Sequence, residues 1–207
     1  MARIDSLFVT HLYREELRTA PARRLLKELE HSARVIAEDD IAGQNWAIAN
    51  QYSGYTSYAS LTDLPDRDPA FAELVEILDE HVAAFVRAAD FDLAGRKLKL
   101  NSIWINILDP GGYHGSHLHP HSVVSGTLYL VFPKGASAIK FEDPRLGLMM
   151  AAPPRKSKAR PSNQTFVSAE PGAGTLLLWE SWLRHEVPLN AADSELRRSV
   201  IAATNCL

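Results

Sequence analysis

Apolar positions in the first ninety residues recur with the spacing of amphipathic helices. The segment from Pro21 to about Glu38 opens with proline, which suits the first helical position, and predicts one helix. A second helix is predicted after Asp68-Pro69, because aspartate caps helices and proline again fits the first turn. The apolar stripes comprise Leu25, Leu26, Leu29, Val35 and Ile36 in the first helix, and Phe71, Leu74, Val75, Leu78, Val82, Phe85 and Val86 in the second. Each helix therefore has one face to bury against a core.

Residues 43–64, between the two predicted helices, are rich in Gly, Ser, Thr, Tyr, Asn and Gln. This composition predicts an ordered loop or short strands that wrap the core. Trp46, Tyr52, Tyr55 and Tyr58 are candidate packing anchors in this segment. The three tyrosines are alternatively a recognition surface, and both interpretations stay open at this point.

The character of the chain changes after Lys97, where short apolar segments alternate with turns rich in Gly, Pro and Asn. The segments are residues 98–108, 123–132, 137–142, 165–167, 174–180, 184–187 and 197–204. Several short strands at this spacing are typical of a β-sandwich or barrel. We expect a single domain, 1–207, with a helical and loop-containing part over about 1–95 and a β core over about 96–207.

Composition and charge narrow the function classes. Apolar residues make up 46% of the 207 positions, the formal net charge is −3, and charges of both signs are well mixed. This balance does not favour a nucleic-acid or membrane-surface protein, and no apolar run approaches a membrane span. With no leader-like start and one cysteine, Cys206, we expect a cytoplasmic protein without disulfides or Cys-rich zinc sites. The basic cluster Arg155 to Arg160 is either a solvated loop or a guide for an acidic substrate.

Four of the eight histidines lie in one short stretch, residues 114–121, after a Pro-Gly-Gly turn. If this stretch is extended, His117 and His119 point to the same side, and His185 on a distant apolar strand could complete a three-point metal site. The alternatives are surface histidines for the pair and a backbone-bonded strand histidine for His185. His114 and His121 are predicted to lie outside the ligand set.

Arginines shortly beyond His185 suggest an anion-binding element on the last predicted strand. An arginine there can offer a bidentate fork to a dicarboxylate, whereas an outward arginine is simply exposed. With Arg197 and Arg198 adjacent, one residue can take each role. A one-residue change in strand register would exchange them.

The second half of the chain carries an ordered set of motifs over about 100–205. The first block contains Trp104-Ile-Asn106, Tyr113-His114, His117-x-His119-Pro120, Ser122, Ser125-Gly126, Tyr129 and Pro133. Later blocks are Ile139-Lys-Phe141-Glu-Asp143-Pro144-Arg145, then Gly174 to Val187 with Trp179, Ser181-Trp182-Leu183 and His185, then Arg197-x-Ser199 and Asn205. As a set they resemble a bacterial and phage group of 2-oxoglutarate/Fe(II)-dependent oxygenases.

The resemblance implies a double-stranded β-helix (jelly-roll, cupin-like) core with the N-terminal helices packed on one sheet. It implies an oxidoreductase, a dioxygenase that uses Fe(II), 2-oxoglutarate and O2, with the metal ligands His117, His119 and His185. It also implies that Arg197, or its rival Arg198, binds 2-oxoglutarate, with Tyr129 donating a hydrogen bond. Asn106 and Ser199 are further candidates for the cofactor pocket.

One departure from the wider superfamily concerns the metal. That superfamily uses two histidines and one carboxylate, whereas His119 stands at the carboxylate position here. Zn, Ni or Cu are therefore also compatible with the ligand set. Two other functions remain open: a cupin-type three-histidine enzyme that does not use 2-oxoglutarate, and a non-catalytic binding module. The substrate, a small molecule or an amino-acid or protein side chain, is not determined, and a homodimer is the default expectation.

Overall fold

The computed structural model describes residues 2–191 and 198–207, which form two antiparallel β-sheets with helices on one side. The strands are β1 (Leu12–Glu16), β2 (Gly54–Thr56), β3 (Lys99–Leu108), β4 (His114–His117), β5 (Val124–Val131), β6 (Ile139–Glu142), β7 (Phe166–Ala169), β8 (Thr175–Glu180), β9 (His185–Val187) and β10 (Arg198–Cys206). The larger sheet has the order β1-β8-β5-β10-β3-β2, and the smaller one β4-β9-β6-β7. The mainly β fold with helices that was expected from the sequence is confirmed.

The helices are α1 (Ala20–Asp39), α2 (Ile41–Ala49), α3 (Leu64–Arg67) and α4 (Pro69–Ala88). Both helices predicted from the apolar stripes are present, and their N-termini are capped by side chains. Thr19 accepts from the Ala22 N–H at the start of α1, and Asp68 accepts from the Ala70 N–H at the start of α4. These bonds satisfy N–H groups that have no partner inside the helix.

Successive residues along each strand of the larger sheet face opposite sides, so their side chains pack in two separate apolar cores. On β3, Ile103, Ile105 and Ile107 pack with the buried faces of α1 and α4. Residues of the opposite parity point between the two sheets. There Tyr129, Trp179 and Val200 of the larger sheet meet Ile139 and Phe141 of the smaller sheet in a second apolar cluster. The helices thus cover one face of the larger sheet, and its other face is left for a site between the sheets.

The segment 43–64 contains one short strand, as expected, but also most of a helix that was not expected. The helix is α2, which Asp40 caps through the Gly43 N–H, and the strand is β2, which pairs with β3. The N-terminal part also supplies β1, which pairs with β8 at the opposite edge of the larger sheet. Short edge strands of mixed polarity such as β1 carry a weak sequence signal, because partners far along the chain stabilise them.

No helix within the described ranges has both the length and the apolar character needed to cross a membrane.

Candidate metal centre

Three histidines from three places in the chain converge at one end of the smaller sheet. His117 ends β4 and pairs directly with His185, the first residue of β9, while His119 follows two residues after β4. One ring nitrogen from each residue lies within 4.8 Å of the others. The ring centroids of His117 and His185 are 4.3 Å apart, and that of His119 is 5.1 Å from His117 and 5.2 Å from His185. The structure thus brings together all three predicted ligands.

Backbone carbonyls fix the orientation of two of these rings. His117 Nδ1 lies 2.7 Å from the Gly115 carbonyl oxygen, and His185 Nδ1 lies 2.9 Å from the Leu183 carbonyl oxygen. Because a carbonyl oxygen only accepts, each Nδ1 carries the proton and donates it. The lone pair of Nε2 is then available, as is usual for a metal-ligating histidine held by a second hydrogen bond.

The rings are also kept neutral by their surroundings. Burial, reinforced by the neighbouring His117, lowers the pKa of His185 to about 3. Burial likewise lowers the pKa of His119 to about 4 and shifts the pKa of His117 downward. Neutral imidazole is the form that binds metals, so the site is ready to accept a cation at neutral pH without losing protons.

These pKa shifts predict a pH-dependent stability for the metal-free protein. A histidine whose folded pKa is depressed contributes fully above its unfolded value near 6.5, and the contribution is lost as pH falls towards the folded value. For His185, which is 5% exposed, the loss approaches about 1.4 kcal/mol per pH unit below 6.5. We expect the unfolding temperature of the metal-free protein to fall between pH 6.5 and pH 4.

Thermal unfolding of wild type and His185→Asn across this pH range measures the effect. The variant should show a shallower slope, because it cannot take up the same proton on unfolding. The comparison uses the slopes, so a different absolute stability of the variant does not matter. Parallel slopes would contradict the assignment of the proton uptake to His185.

The other two histidines of the 114–121 stretch have different positions. His121 is exposed, has a left-handed backbone (φ 68°), and does not belong to the cluster of His117, His119 and His185. His114 stacks on the His117 ring with centroids 4.6 Å apart and also contacts Tyr52 edge-on. The His114 ring therefore packs against the ring of the predicted ligand His117. Strand alternation did not reveal this, because the pairing of β4 with β9 is irregular between positions 114 and 117.

A buried cation lies at the first position of β10, deeper between the sheets. Arg198 is 4% exposed, its guanidinium stands 5.1 Å from the centre of the Tyr129 ring, and its Nη2 donates to the Tyr129 hydroxyl at 3.4 Å. Within residues 2–191 and 198–207, its Nε has no hydrogen-bond partner and no carboxylate forms a salt bridge with it. A buried guanidinium with free donors favours an anionic ligand.

The remaining predicted cofactor residues are placed differently. Arg197 lies outside the described residues. Ser199 pairs with Ile107 and so faces the helices, away from Tyr129. The Asn106 amide is oriented to accept from Trp104 Nε1 at 3.0 Å and to donate to Thr56 Oγ1 at 2.8 Å. The structure therefore does not bring Ser199 to the histidine cluster, and the side-chain amide of Asn106 forms hydrogen bonds with Trp104 and Thr56.

A cavity of about 570 Å³ opens beside the three histidines. His117 and His119 form part of its wall, together with His114 and Asn106. Three aromatic side chains from residues 46–58 also line it: Trp46, Tyr52 and Tyr58. Of the three tyrosines for which two roles were open, Tyr55 is buried and bonded to Asp40, whereas Tyr52 and Tyr58 face the cavity.

Comparisons with known proteins agree with this architecture. Residues 102–202 match the family described as "Putative 2OG-Fe(II) oxygenase". A prolyl-4-hydroxylase from Pseudomonas putida superposes with a TM-score of 0.61 at 13% identity, covering 97% of this chain and 95% of its own. The epimerase SnoN, solved with Fe3+, alpha ketoglutarate and nogalamycin RO, superposes with a TM-score of 0.63 at 13% identity, covering 95% and 79%.

HygX from Streptomyces hygroscopicus, solved with nickel and 2-oxoglutarate, is similar with a TM-score of 0.59 at 13% identity, covering 95% of this chain and 82% of its own. No curated protein sequence matches the chain significantly. At such low identity the structural matches establish the fold, which is the double-stranded β-helix predicted from the motifs. The family match confirms the resemblance found in the sequence.

Proposed function

We propose that this chain, whose residues 102–202 match the 2OG-Fe(II) oxygenase family, is an oxidoreductase of that type, and that its residues serve the activity as follows. His117, His119 and His185 hold Fe(II), and Arg198 with Tyr129 holds the distal carboxylate of 2-oxoglutarate. The observation that supports the proposal best is the pairing of two features inside one barrel. The first feature is the histidine cluster, of which His117 and His119 line the cavity. The second is the buried guanidinium of Arg198 between the sheets, whose Nε has no hydrogen-bond partner among the described residues.

The donor chemistry fits both groups. Imidazole nitrogens suit iron, and the two ring orientations fixed by Gly115 and Leu183 leave Nε2 available on His117 and His185. Arg198 offers a planar fork of N–H groups, which matches a carboxylate in a bidentate manner. SnoN, solved with Fe3+ and alpha ketoglutarate, and HygX, solved with nickel and 2-oxoglutarate, are similar to this chain in fold, which supports the proposal that this fold holds a metal and 2-oxoglutarate here.

When bound, iron and 2-oxoglutarate supply the oxidising chemistry, in which O2 oxidises a substrate C–H bond while 2-oxoglutarate is converted to succinate and CO2. The protein's own residues bind, orient and exclude water. The three histidines would hold the metal, and two of them, His117 and His119, line the cavity in which a substrate would bind. Arg198 and Tyr129 fix the far end of the cosubstrate, and the buried cluster around Trp179 and Phe141 keeps bulk water away from His185.

His119 in place of a carboxylate changes the charge of the proposed centre. Three neutral ligands leave more positive charge on the metal than two histidines and one carboxylate do. A more positive centre attracts the anionic end of 2-oxoglutarate more strongly, and it also increases competition from Zn, Ni and Cu. The proposal therefore includes the identity of the metal as iron rather than Zn, Ni or Cu, and the test below compares iron with Zn.

Anaerobic titration tests the proposal directly. Addition of Fe(II) followed by 2-oxoglutarate should give a visible absorption band that needs both components. On admission of air, the same sample should convert 2-oxoglutarate to succinate slowly without substrate, and Zn should bind but support no turnover. Binding of iron without any band or any succinate would contradict the proposal and favour the three-histidine enzyme that does not use 2-oxoglutarate.

A further inference from the structure

The cavity beside the three histidines is free of formal charge wherever the structure describes it. Its lining consists of Trp46, Tyr52, Thr56, Tyr58, Asn101, Ser102, Trp104, Asn106, His114, His117, Leu118, His119, Pro120, Ser122 and Thr204. No Asp, Glu, Lys or Arg of the described residues is among them, although such residues make up 23% of the chain. A charged group that left water for this cavity would find hydroxyls, amides and rings but no counter-charge.

The aromatic part of the wall is held rigidly. Trp104 donates its indole N–H to Asn106 at 3.0 Å, and Asn106 in turn donates to Thr56 at 2.8 Å. The Trp104 ring contacts His119 at a centroid distance of 5.7 Å and Tyr58 edge-on at 5.3 Å. Because these contacts fix the buried indole, Trp104 and the exposed Tyr58 form a preformed aromatic part of the wall beside a proposed metal ligand.

The polar side chains occupy a different part of the same wall. Asn101, Ser102 and Thr204 line the cavity from the neighbouring strands β3 and β10. Hydroxyl and amide groups can both donate and accept, so they recognise neutral hydrogen-bonding groups such as amides, alcohols and carbonyls. A volume of about 570 Å³ is large enough for a ring-bearing molecule beside the cosubstrate.

We propose that the substrate of this enzyme is an uncharged molecule with a flat ring and hydrogen-bonding groups, and that its ring packs against the exposed side chain of Tyr58, which is itself in contact with Trp104. The inference depends on the proposed oxygenase function for the chemistry, but the binding preference is a property of the cavity alone. It gives Trp104 and Tyr58 a role in choosing the substrate. The 60% exposure of Tyr58 places it at the cavity edge, where an incoming ring can contact it.

Binding of three matched probes tests the charge preference. Indole-3-acetamide, indole-3-acetate and tryptamine share one ring and differ in charge, and hexanamide is a neutral amide without a ring. Isothermal titration calorimetry is done on the metal-free protein and repeated with Fe(II) and 2-oxoglutarate. We expect indole-3-acetamide to bind at least tenfold more tightly than the other three probes in both states.

Two tyrosines provide a matched pair of variants. Tyr58 and Tyr113 are both 60% exposed, but only Tyr58 lines the cavity. Tyr58→Ala should weaken indole-3-acetamide roughly two- to twelvefold, the range that loss of one aromatic contact gives, and Tyr113→Ala should leave its affinity unchanged. Neither exposed side chain is needed for the core, so both variants are expected to fold.

An isosteric change tests the polar part. Asn101 is exposed at the rim of the cavity, and Asn101→Asp adds a negative charge without changing the shape. The variant should bind tryptamine several times more tightly than wild type does and indole-3-acetate more weakly. This shift would show that the probes enter the cavity rather than another surface.

The proposal is overturned if the charged probes bind as tightly as indole-3-acetamide, if hexanamide does so, or if no neutral ring probe binds. It is also overturned if Tyr58→Ala and Tyr113→Ala have equal effects. Failure of the oxygenase function would appear differently, as missing conversion of 2-oxoglutarate to succinate while the neutral probe still binds to the metal-free protein.

Discussion

Replacing His185 by alanine should abolish conversion of 2-oxoglutarate and reduce iron binding by at least two orders of magnitude. His185 supplies one of three converging imidazoles, and its ring is fixed by the Leu183 carbonyl and by packing against Trp179 and Phe141. Two imidazoles bind a metal more weakly than three do, and among the described residues the group whose ligand atoms all lie within 4.8 Å of one another consists of His117, His119 and His185. Metal content after dialysis and succinate formation measure the two losses.

The matched control for this prediction is His121→Asn. His121 belongs to the same histidine-rich stretch, but it is exposed and outside the cluster, and asparagine tolerates its left-handed backbone. Metal content and turnover should stay within a factor of two of wild type. Equal losses in both variants, or turnover by His185→Ala, would show that the metal is held elsewhere.

Much of the fold was predictable because its signals are local. The apolar stripes and the Asp-Pro start gave α1 and α4, and apolar runs separated by turns gave most of the strands after residue 97. The clustering of His117, His119 and His185 was also predictable, since a His-x-His pair and one distant strand histidine stand out in the sequence. The Pro110-Gly111-Gly112 turn that leads into β4 is confirmed by the left-handed φ of 77° at Gly111.

The way the trio assembles was not predictable from strand alternation. The pair was expected on one extended strand, but β4 ends at His117, and His119 lies beyond it. His119 is positioned by its backbone N–H, which donates to the Ser181 carbonyl at the end of β8, more than sixty residues away. Such a bond depends on sheet pairing, which no local pattern of residues encodes.

The cavity wall shows the same limit. Tyr52, Tyr55 and Tyr58 are alike in sequence, yet Tyr55 bonds to Asp40 in the interior whereas its neighbours face the cavity. The difference arises because β2 pairs with β3 about fifty residues later and so fixes which side of the segment turns inward. The choice between packing anchors and recognition surface therefore required the three-dimensional register.

The register of β10 also determines which way Arg198 points, and Arg198 is one of the two candidates, with Arg197, for binding 2-oxoglutarate. Arg198 shares a face with Val200, which packs in the cluster between the sheets, and it reaches Tyr129 from the same side. Within residues 2–191 and 198–207, the buried Arg198 side chain donates one long hydrogen bond, to the Tyr129 hydroxyl at 3.4 Å, which is an energetically poor position for a cation. Such a residue contributes more to ligand binding than to folding, and that combination can be tested.

Arg198→Met should therefore weaken 2-oxoglutarate binding by about 3 kcal/mol, roughly 150-fold, without lowering the unfolding temperature of the cofactor-free protein. The loss comes from the missing charged hydrogen bonds to the distal carboxylate. The unchanged or higher stability comes from replacing a buried, poorly paired cation by an apolar chain of similar length. Titration of 2-oxoglutarate into the iron-loaded protein and thermal unfolding of the metal-free protein measure the two effects, and iron content should not change.

Two arginine variants make this result decisive. Arg145→Met removes an exposed guanidinium paired with Asp143 and should leave 2-oxoglutarate affinity unchanged. Arg197→Met tests the rival residue that lies outside the described ranges. If Arg197→Met loses 2-oxoglutarate while Arg198→Met retains it, the carboxylate is held by Arg197, and the buried cation beside Tyr129 must have another role. If only Arg198→Met loses it, Arg198 holds the carboxylate, and binding of the cosubstrate explains why a guanidinium is buried at this position.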